Sequence, residues 1–343
     1  MLSFTRALIT GLLAVGAMAV PPVYPGFNRP PGLPFDTYAF PDELVAAYRA
    51  ADAAEAKSNS LGRRDERLID LYLHVIQHPT KHEHDISDER LQEQVQVLND
   101  AFKPHQFQFT LKNTTRTTNE AWFAPGRAVE GEMRWTLRQG GKDALNLFFF
   151  QLLNLSKKAS PVVSSGENCV EYSNGTTTCT PITVSDTGPR ITTQRLGDCL
   201  SPGTWLDNSW QLHWDGCNID ISALPHGSDH EFNMGKTAVH EVGHWLGLGH
   251  PFPDGPGYNQ NPKICDLSVS DLVDDIPVCY LNWDLLGSDL CPQTEIDTCP
   301  DHEGKDPIHN YMHYTSDACR NEFTPKQAHR MEEIYSLYRS KSS

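Results

Sequence analysis

The stretch His240-Glu241-Val242-Gly243-His244-Trp245-Leu246-Gly247-Leu248-Gly249-His250 decides how the rest of this 343-residue chain is read. No proline interrupts Met234 to Leu246, and Ala238, Val239, Val242, Trp245 and Leu246 form an apolar face, so the segment is predicted to be a helix. His240 and His244 stand four residues apart, one helical turn above each other, which aims both imidazoles at one point. Gly247 can take a positive φ that a Cβ would resist, letting the chain turn and return His250 to the same point as a third ligand. Glu241, offset by one position from His240, falls beside that point and is available as a general base toward water. Three protein nitrogens with an open fourth position are the ligand set of a catalytic zinc, which lowers the pKa of bound water to roughly 7.

Upstream, Arg6 precedes an apolar run from Ala7 to Ala14, and Ala17-Met18-Ala19 supplies small residues for signal cleavage, so residues 1–19 read as a secretory signal. Prolines at 21, 22, 25, 30, 31 and 34, an Ala-rich helical stretch from Pro41 to Lys57 and the loop Ser58-Asn59-Ser60-Leu61-Gly62-Arg63-Arg64 make residues 20–64 read as a propeptide ending in a dibasic cleavage signal, with an N-terminal extension that stays attached as the alternative. It contains no cysteine that could cap a zinc ion. Residues 65–343 remain as one large domain. No later stretch is apolar enough to span a membrane, and a net charge of −16 argues against binding nucleic acid through its phosphates. A secreted, extracellular protein is expected, with no membrane and no nucleic-acid partner; oligomeric state is left open. All nine cysteines fall between Cys169 and Cys319, consistent with disulfides in an oxidising compartment. Asn113, Asn154 and Asn174 head glycosylation triplets.

Along the domain, Leu68–Ile76 reads as a buried strand, and Ser87 with Glu89-Arg90 opens a helix through Leu91, Val95, Leu98 and Phe102. Phe107–Leu111 alternates, Trp135–Arg138 closes another short segment, and Leu145–Leu153 reads as a further buried strand. Asn154–Pro202, rich in Ser, Thr, Gly and Pro, reads as a loop insertion, and Thr204–Ser222 as a source of an edge strand. Strands separated by a helix indicate a mixed α/β sheet.

The zinc stretch resembles the metzincin clan, in which a methionine turn lies beneath the metal; Met312 in Asn310-Tyr311-Met312-His313-Tyr314 stands where that turn belongs. An ordinary core methionine is the alternative. Gly235-Lys236-Thr237, Asp275-Ile276-Pro277, Asp297-Thr298-Cys299-Pro300, Asp306-Pro307-Ile308-His309-Asn310 and Phe323-Thr324 resemble the pappalysins, particularly secreted fungal and microbial members. The resemblance covers nearly all of residues 65 to 335. It implies a metzincin-like α/β (α+β) catalytic domain: an upper part, 65–250, with a twisted mixed sheet and the zinc helix, and a smaller disulfide-tied lower part, 251–343, with the methionine turn. It implies zinc-dependent endopeptidase activity on protein or peptide substrates, serving assimilation or virulence, with His240, His244 and His250 as ligands, Glu241 as base and Tyr314 as a donor to the developing oxyanion, a packed core tyrosine being the alternative for the last. Pro251 stands where the family usually has threonine, and His313 where it usually has aspartate. In members that prefer basic residues, an acidic side chain near the following cysteine shapes the specificity pocket. Here Ala318 precedes Cys319 and Asp317 lies one step earlier, which makes a strict Arg/Lys preference doubtful.

The resemblance also implies disulfides Cys265–Cys299 and Cys291–Cys319. Cys169–Cys179 and Cys199–Cys217 are paired by proximity alone, leaving Cys279 as a buried thiol or a site of exchange. Asp271, Asp274 and Asp275 form an acidic loop; Asp271 and Asp275 are candidate calcium ligands, with a solvated turn as the alternative. His78, His82 and His84 read as a surface loop. Two rival functions are an inactive zinc-fold binding module, against which the intact Glu241 and histidines speak, and a hydrolase of non-peptide amides.

Overall fold

The computed structural model describes residues 42–55, 66–125, 127–152, 167–171, 177–181, 195–253, 264–265, 271–286 and 290–340. Helix α1 (Asp42–Glu55) precedes strand β1 (Arg67–Gln77), helix α2 (Asp88–Phe102) and strand β2 (Phe107–Thr118). Ser87 caps α2, its hydroxyl accepting from the Arg90 amide at 3.3 Å. Helices α3 (Glu120–Phe123) and α4 (Arg127–Leu137) lead to β3 (Leu145–Phe150), so the segment closed by Trp135–Arg138 is helical. All six residues of β3 are buried, as its unbroken apolar run requires.

The expected loop insertion after β3 contains structure of its own. Strands β4 (Glu167–Glu171) and β5 (Thr177–Pro181) form a separate antiparallel hairpin, and β6 (Gly197–Cys199) joins the main sheet. Strand β7 (Cys217–Asp220) lies between β3 and β6, so the edge strand is β6 and not the Thr204–Ser222 segment. The sheet order is β2-β1-β3-β7-β6, parallel throughout except for β6, which runs antiparallel to β7. Sequence periodicity missed β6 because three residues carry no readable alternation.

Helix α5 (Lys236–Trp245) packs on β6, β7 and α2, burying Val239, Val242 and Trp245 among Leu98, Phe102 and Phe148. The buried Gln94 amide of α2 donates to the Gly235 carbonyl at 2.9 Å and fixes the start of α5. After α5, the described residues hold little regular structure: α6 (Trp283–Leu286), a bridge between Asn310 and Glu322, and α7 (Pro325–Ile334), which runs on into a π turn over Tyr335–Arg339. Thr324 and Gln327 form a capping box at the start of α7.

A buried network joins this C-terminal part to helix α5. Arg339, fully buried, lies with its guanidinium carbon 3.6 Å from the Trp245 ring centre and donates to the Trp245 carbonyl at 2.9 Å. It also pairs with Asp215, which accepts from the Trp245 indole and from Arg138, each at 3.0 Å. Burying that carboxylate is tolerable because every side of it meets a donor. Disulfides join Cys199 to Cys217, Cys265 to Cys299 and Cys291 to Cys319; the first links β6 to β7. Hairpin register sets Cys169 opposite Cys179. Cys279 is a buried free thiol, its sulfur 3.4 Å from the Pro251 carbonyl. Asn154 and Asn174 lie outside the described residues, as does all of 20–64 except α1, while Asn113 is exposed on β2.

Candidate active site

Helix α5 delivers His240 and His244 from successive turns, and Gly247 ends the helix at φ 92°. A Cβ there would come within 2.6 Å of Ile334 Cγ2, so glycine is required by conformation and by space. The chain then doubles back and His250 returns. The three Nε2 atoms meet in a triangle with sides of 3.0, 3.1 and 3.1 Å. His240 Nδ1–H donates to the Tyr311 carbonyl and His244 Nδ1–H to the Leu248 carbonyl, each at 2.8 Å. Those bonds fix the tautomers and leave Nε2 lone pairs facing one another.

Burial pushes His240 well below the usual imidazole range and His244 down to about 3, with repulsion from neighbouring histidines adding to it. The Nε2 atoms of His240 and His244, neutral and without a proton, cannot hydrogen-bond to each other, so their convergence with that of His250 fits a cation. Two ligands about 2.0–2.1 Å from a tetrahedral zinc stand roughly 3.3 Å apart, close to the separations found here. Among the described residues these three form the only group of three or more His, Cys, Asp or Glu side chains placed to hold a metal ion.

Glu241 is 5 % exposed and lies against β6, close enough that a Cβ on Gly197 would come within 2.5 Å of its Oε1. Tyr314 sits edge-on to His250 with ring centres 4.6 Å apart, and its ring lies 5.7 Å from that of His240. Met312 is wholly buried under α5: a Cβ on Gly243 would meet its sulfur. Asn310 builds this turn. Its side-chain Oδ1 accepts from the Met312 amide at 2.9 Å, and the side chain exchanges two hydrogen bonds with Gln327, at 2.8 and 3.1 Å. The Tyr311 carbonyl that orients His240 is therefore held by α7. Neither Gly197 nor the Asn310–Gln327 pair stood out in the sequence, since each acts through a contact between distant segments.

Other expected positions have other surroundings. Asp317 is fully buried, paired with Arg320, and its Oδ2 accepts from the Met234 and Lys236 amides at 2.8 and 3.2 Å; Ala318 is exposed. His313 is buried against Phe252, and burial, aided by Arg320, pushes it down to about 3. Asp275 accepts from the Thr324 hydroxyl at 2.7 Å and the Lys326 amide at 2.9 Å, while Asp274 pairs with the Lys326 ammonium. Asp271 Oδ1 accepts from the Val273 amide at 3.1 Å; Oδ2 has no hydrogen-bond partner among the described residues. Burial raises that carboxyl to about 8. His78, His82 and His84 are not gathered into a metal site.

The sequence pattern of the Peptidase M43 family, described as pregnancy-associated plasma protein-A, matches residues 223–336. An extracellular metalloprotease of Verticillium alfalfae is 35% identical over 303 residues, 88% of each chain. One from Pyricularia oryzae is 34% identical over 300 residues, 87% of this chain and 86% of its own. Among solved structures, a Tannerella forsythia promirolysin variant shares the fold with a TM-score of 0.55 at 21% identity, covering 86% of this chain and 87% of its own. Mirolysin gives 0.53 at 22% identity, covering 80% and 93%. With relatives this similar along most of their length, the chain belongs to the pappalysin family of metzincin metalloendopeptidases, in its secreted fungal and microbial branch.

Proposed function

We propose that the chain is a zinc-dependent endopeptidase that hydrolyses internal bonds of extracellular proteins, with His240, His244 and His250 as ligands and Glu241 as general base. The observation that carries this reading is the meeting of three Nε2 atoms within 3.1 Å of one another. When bound, zinc acidifies water and polarises the scissile carbonyl. Glu241 takes a proton from the attacking water and passes it to the leaving amine. Tyr314, beside His250, donates its phenolic proton toward the oxyanion. Met312 supplies an apolar floor beneath the ligands. Strand β6 forms one margin of the sheet next to Glu241, and an extended substrate adds to that margin through main-chain hydrogen bonds. Because Asp317 is neutralised by Arg320, the pocket exerts no strict demand for Arg or Lys.

Removal of residues 1–19 and cleavage after Arg64 belong to the same reading, as does a glycan on Asn113, with assimilation of protein or virulence as the physiological role. The orphan oxygen of Asp271 supports a calcium ion there more strongly than at Asp275, whose oxygens already accept from Thr324 and Lys326.

The test is cleavage of casein or gelatin by the purified enzyme, with and without a chelator, beside Glu241→Ala. Chelation abolishes cleavage, zinc restores it, and Glu241→Ala lowers kcat by roughly 10²–10⁴-fold. Equal cleavage by the mutant rules out the proposed base; zinc binding without cleavage by the wild type favours a binding module.

A further inference from the structure

Helix α1 lies on the N-terminal side of Arg63-Arg64, in the segment read as a propeptide, yet its side chains are built into the domain. Leu44 and Tyr48 are fully buried, in a cluster with Leu206, Ile334 and Tyr338. The Tyr48 hydroxyl donates to the Gly247 carbonyl, at the turn between the second and third histidines. Arg330 stacks over the Tyr48 ring with its guanidinium carbon 4.0 Å from the centre. At the helix start, Glu43 accepts from the Thr204 amide at 3.2 Å and its hydroxyl at 3.0 Å, so close to Gly203 that a Cβ there would lie 2.6 Å from Glu43 Oε1. Burial raises the Tyr48 phenol above its ordinary range, so it stays a donor at any physiological pH.

Withdrawing α1 would uncover Leu206, Ile334 and Tyr338 together, strip Arg330 of its aromatic partner and leave the Gly247 carbonyl without its phenol. That carbonyl belongs to a residue pinned on its other side by Ile334.

We propose that α1 is a lasting part of the folded enzyme: the surface formed by Thr204, Leu206, Gly247, Arg330, Ile334 and Tyr338 binds residues 42–55 of the same chain, and keeps them non-covalently once the connection at 56–65 is cut. The mature protein is then a two-chain complex, and α1 braces the turn that presents His250. This extends the processing proposal, but it does not depend on where natural cleavage falls, because the cut can be imposed.

The full chain carrying Glu241→Gln, to prevent self-digestion, is given an exogenous-protease site at 58–64, cut completely, and passed over gel filtration at about 10 μM, where a micromolar complex survives. The small fragment co-elutes with the domain, and Leu44→Asp releases it. Independently, in the uncut chain, Tyr48→Ala lowers the Tm by roughly 5 °C, whereas Arg49→Ala, at an exposed position of the same helix, leaves it within about 1 °C. Separate elution of the two fragments overturns the two-chain complex, and an unchanged Tm for Tyr48→Ala overturns the brace. A failure of natural processing at Arg64 would show instead as an uncut secreted chain, leaving both of these readouts intact.

Discussion

Gly197 contributes an absence of volume. A Cβ at this position in β6 would sit 2.5–2.8 Å from the Glu241 carboxylate and its Cγ. Because the clash is with the mobile end of a side chain, Gly197→Ala displaces the proposed base, Glu241, rather than the strand. The expected result is a Tm within about 2 °C of wild type and a kcat lower by roughly 10–100-fold, as misplacement of a catalytic group by an ångström costs. Retained kcat would show that Glu241 has room to act from elsewhere. Asp271 gives a pH signature. Its folded value of about 8 lies above the ordinary 3.8, so between those values the folded protein holds a proton that the unfolded chain has released. Its contribution to stability is full below about pH 4 and is lost as pH rises through 8. In metal-stripped protein, thermal unfolding of the wild type therefore weakens from pH 5 to 8.5 more than that of Asp271→Asn, and calcium, but not magnesium, restores the difference at pH 8.5. Identical pH profiles for the two proteins would contradict the buried acid.

At the scale of elements, helix α5 depends on a helix some eighty residues later. Asn310 and Gln327 are both almost wholly buried and bonded in both directions, which couples α7 to the turn carrying Tyr311 and Met312. Asn310→Ala leaves the Gln327 amide without those partners, at a cost of about 1–3 kcal/mol, read as a lower midpoint in urea unfolding. It also loosens the Tyr311 carbonyl that orients His240, and zinc affinity falls by roughly 10–100-fold, as for other groups that support a metal ligand. Unchanged zinc affinity in a destabilised mutant would confine Asn310 to packing.

For the molecule as a whole, the C-terminal π turn closes the structure by placing Arg339 between Trp245 and Asp215. Arg339→Met removes one of two guanidinium partners from a buried carboxylate and destabilises by about 3 kcal/mol or more. Adding Asp215→Asn to it costs less than Asp215→Asn does in the wild type, since only Arg138 and no longer two buried guanidinium groups loses its carboxylate. Strict additivity in denaturant unfolding would mean that the pair is not coupled.

The three converging histidines, the helix that carries two of them and the turn at Gly247 were legible because each rests on contacts within a few residues: a helical repeat of 3.6 and a position open only to glycine. The long strands β1 and β3 were legible for the same reason, through runs of apolar residues. Strand β6, the space at Gly197, the neutralised Asp317 and the docking of α1 were not. They arise where segments tens to hundreds of residues apart meet, and no local period records which partner a short strand, a buried carboxylate or an amphipathic helix will find. Sequence alone determined the three-histidine pattern and the membership of the pappalysin family; only the tertiary structure decided what surrounds those histidines, because burial and partnership are properties of the packed chain.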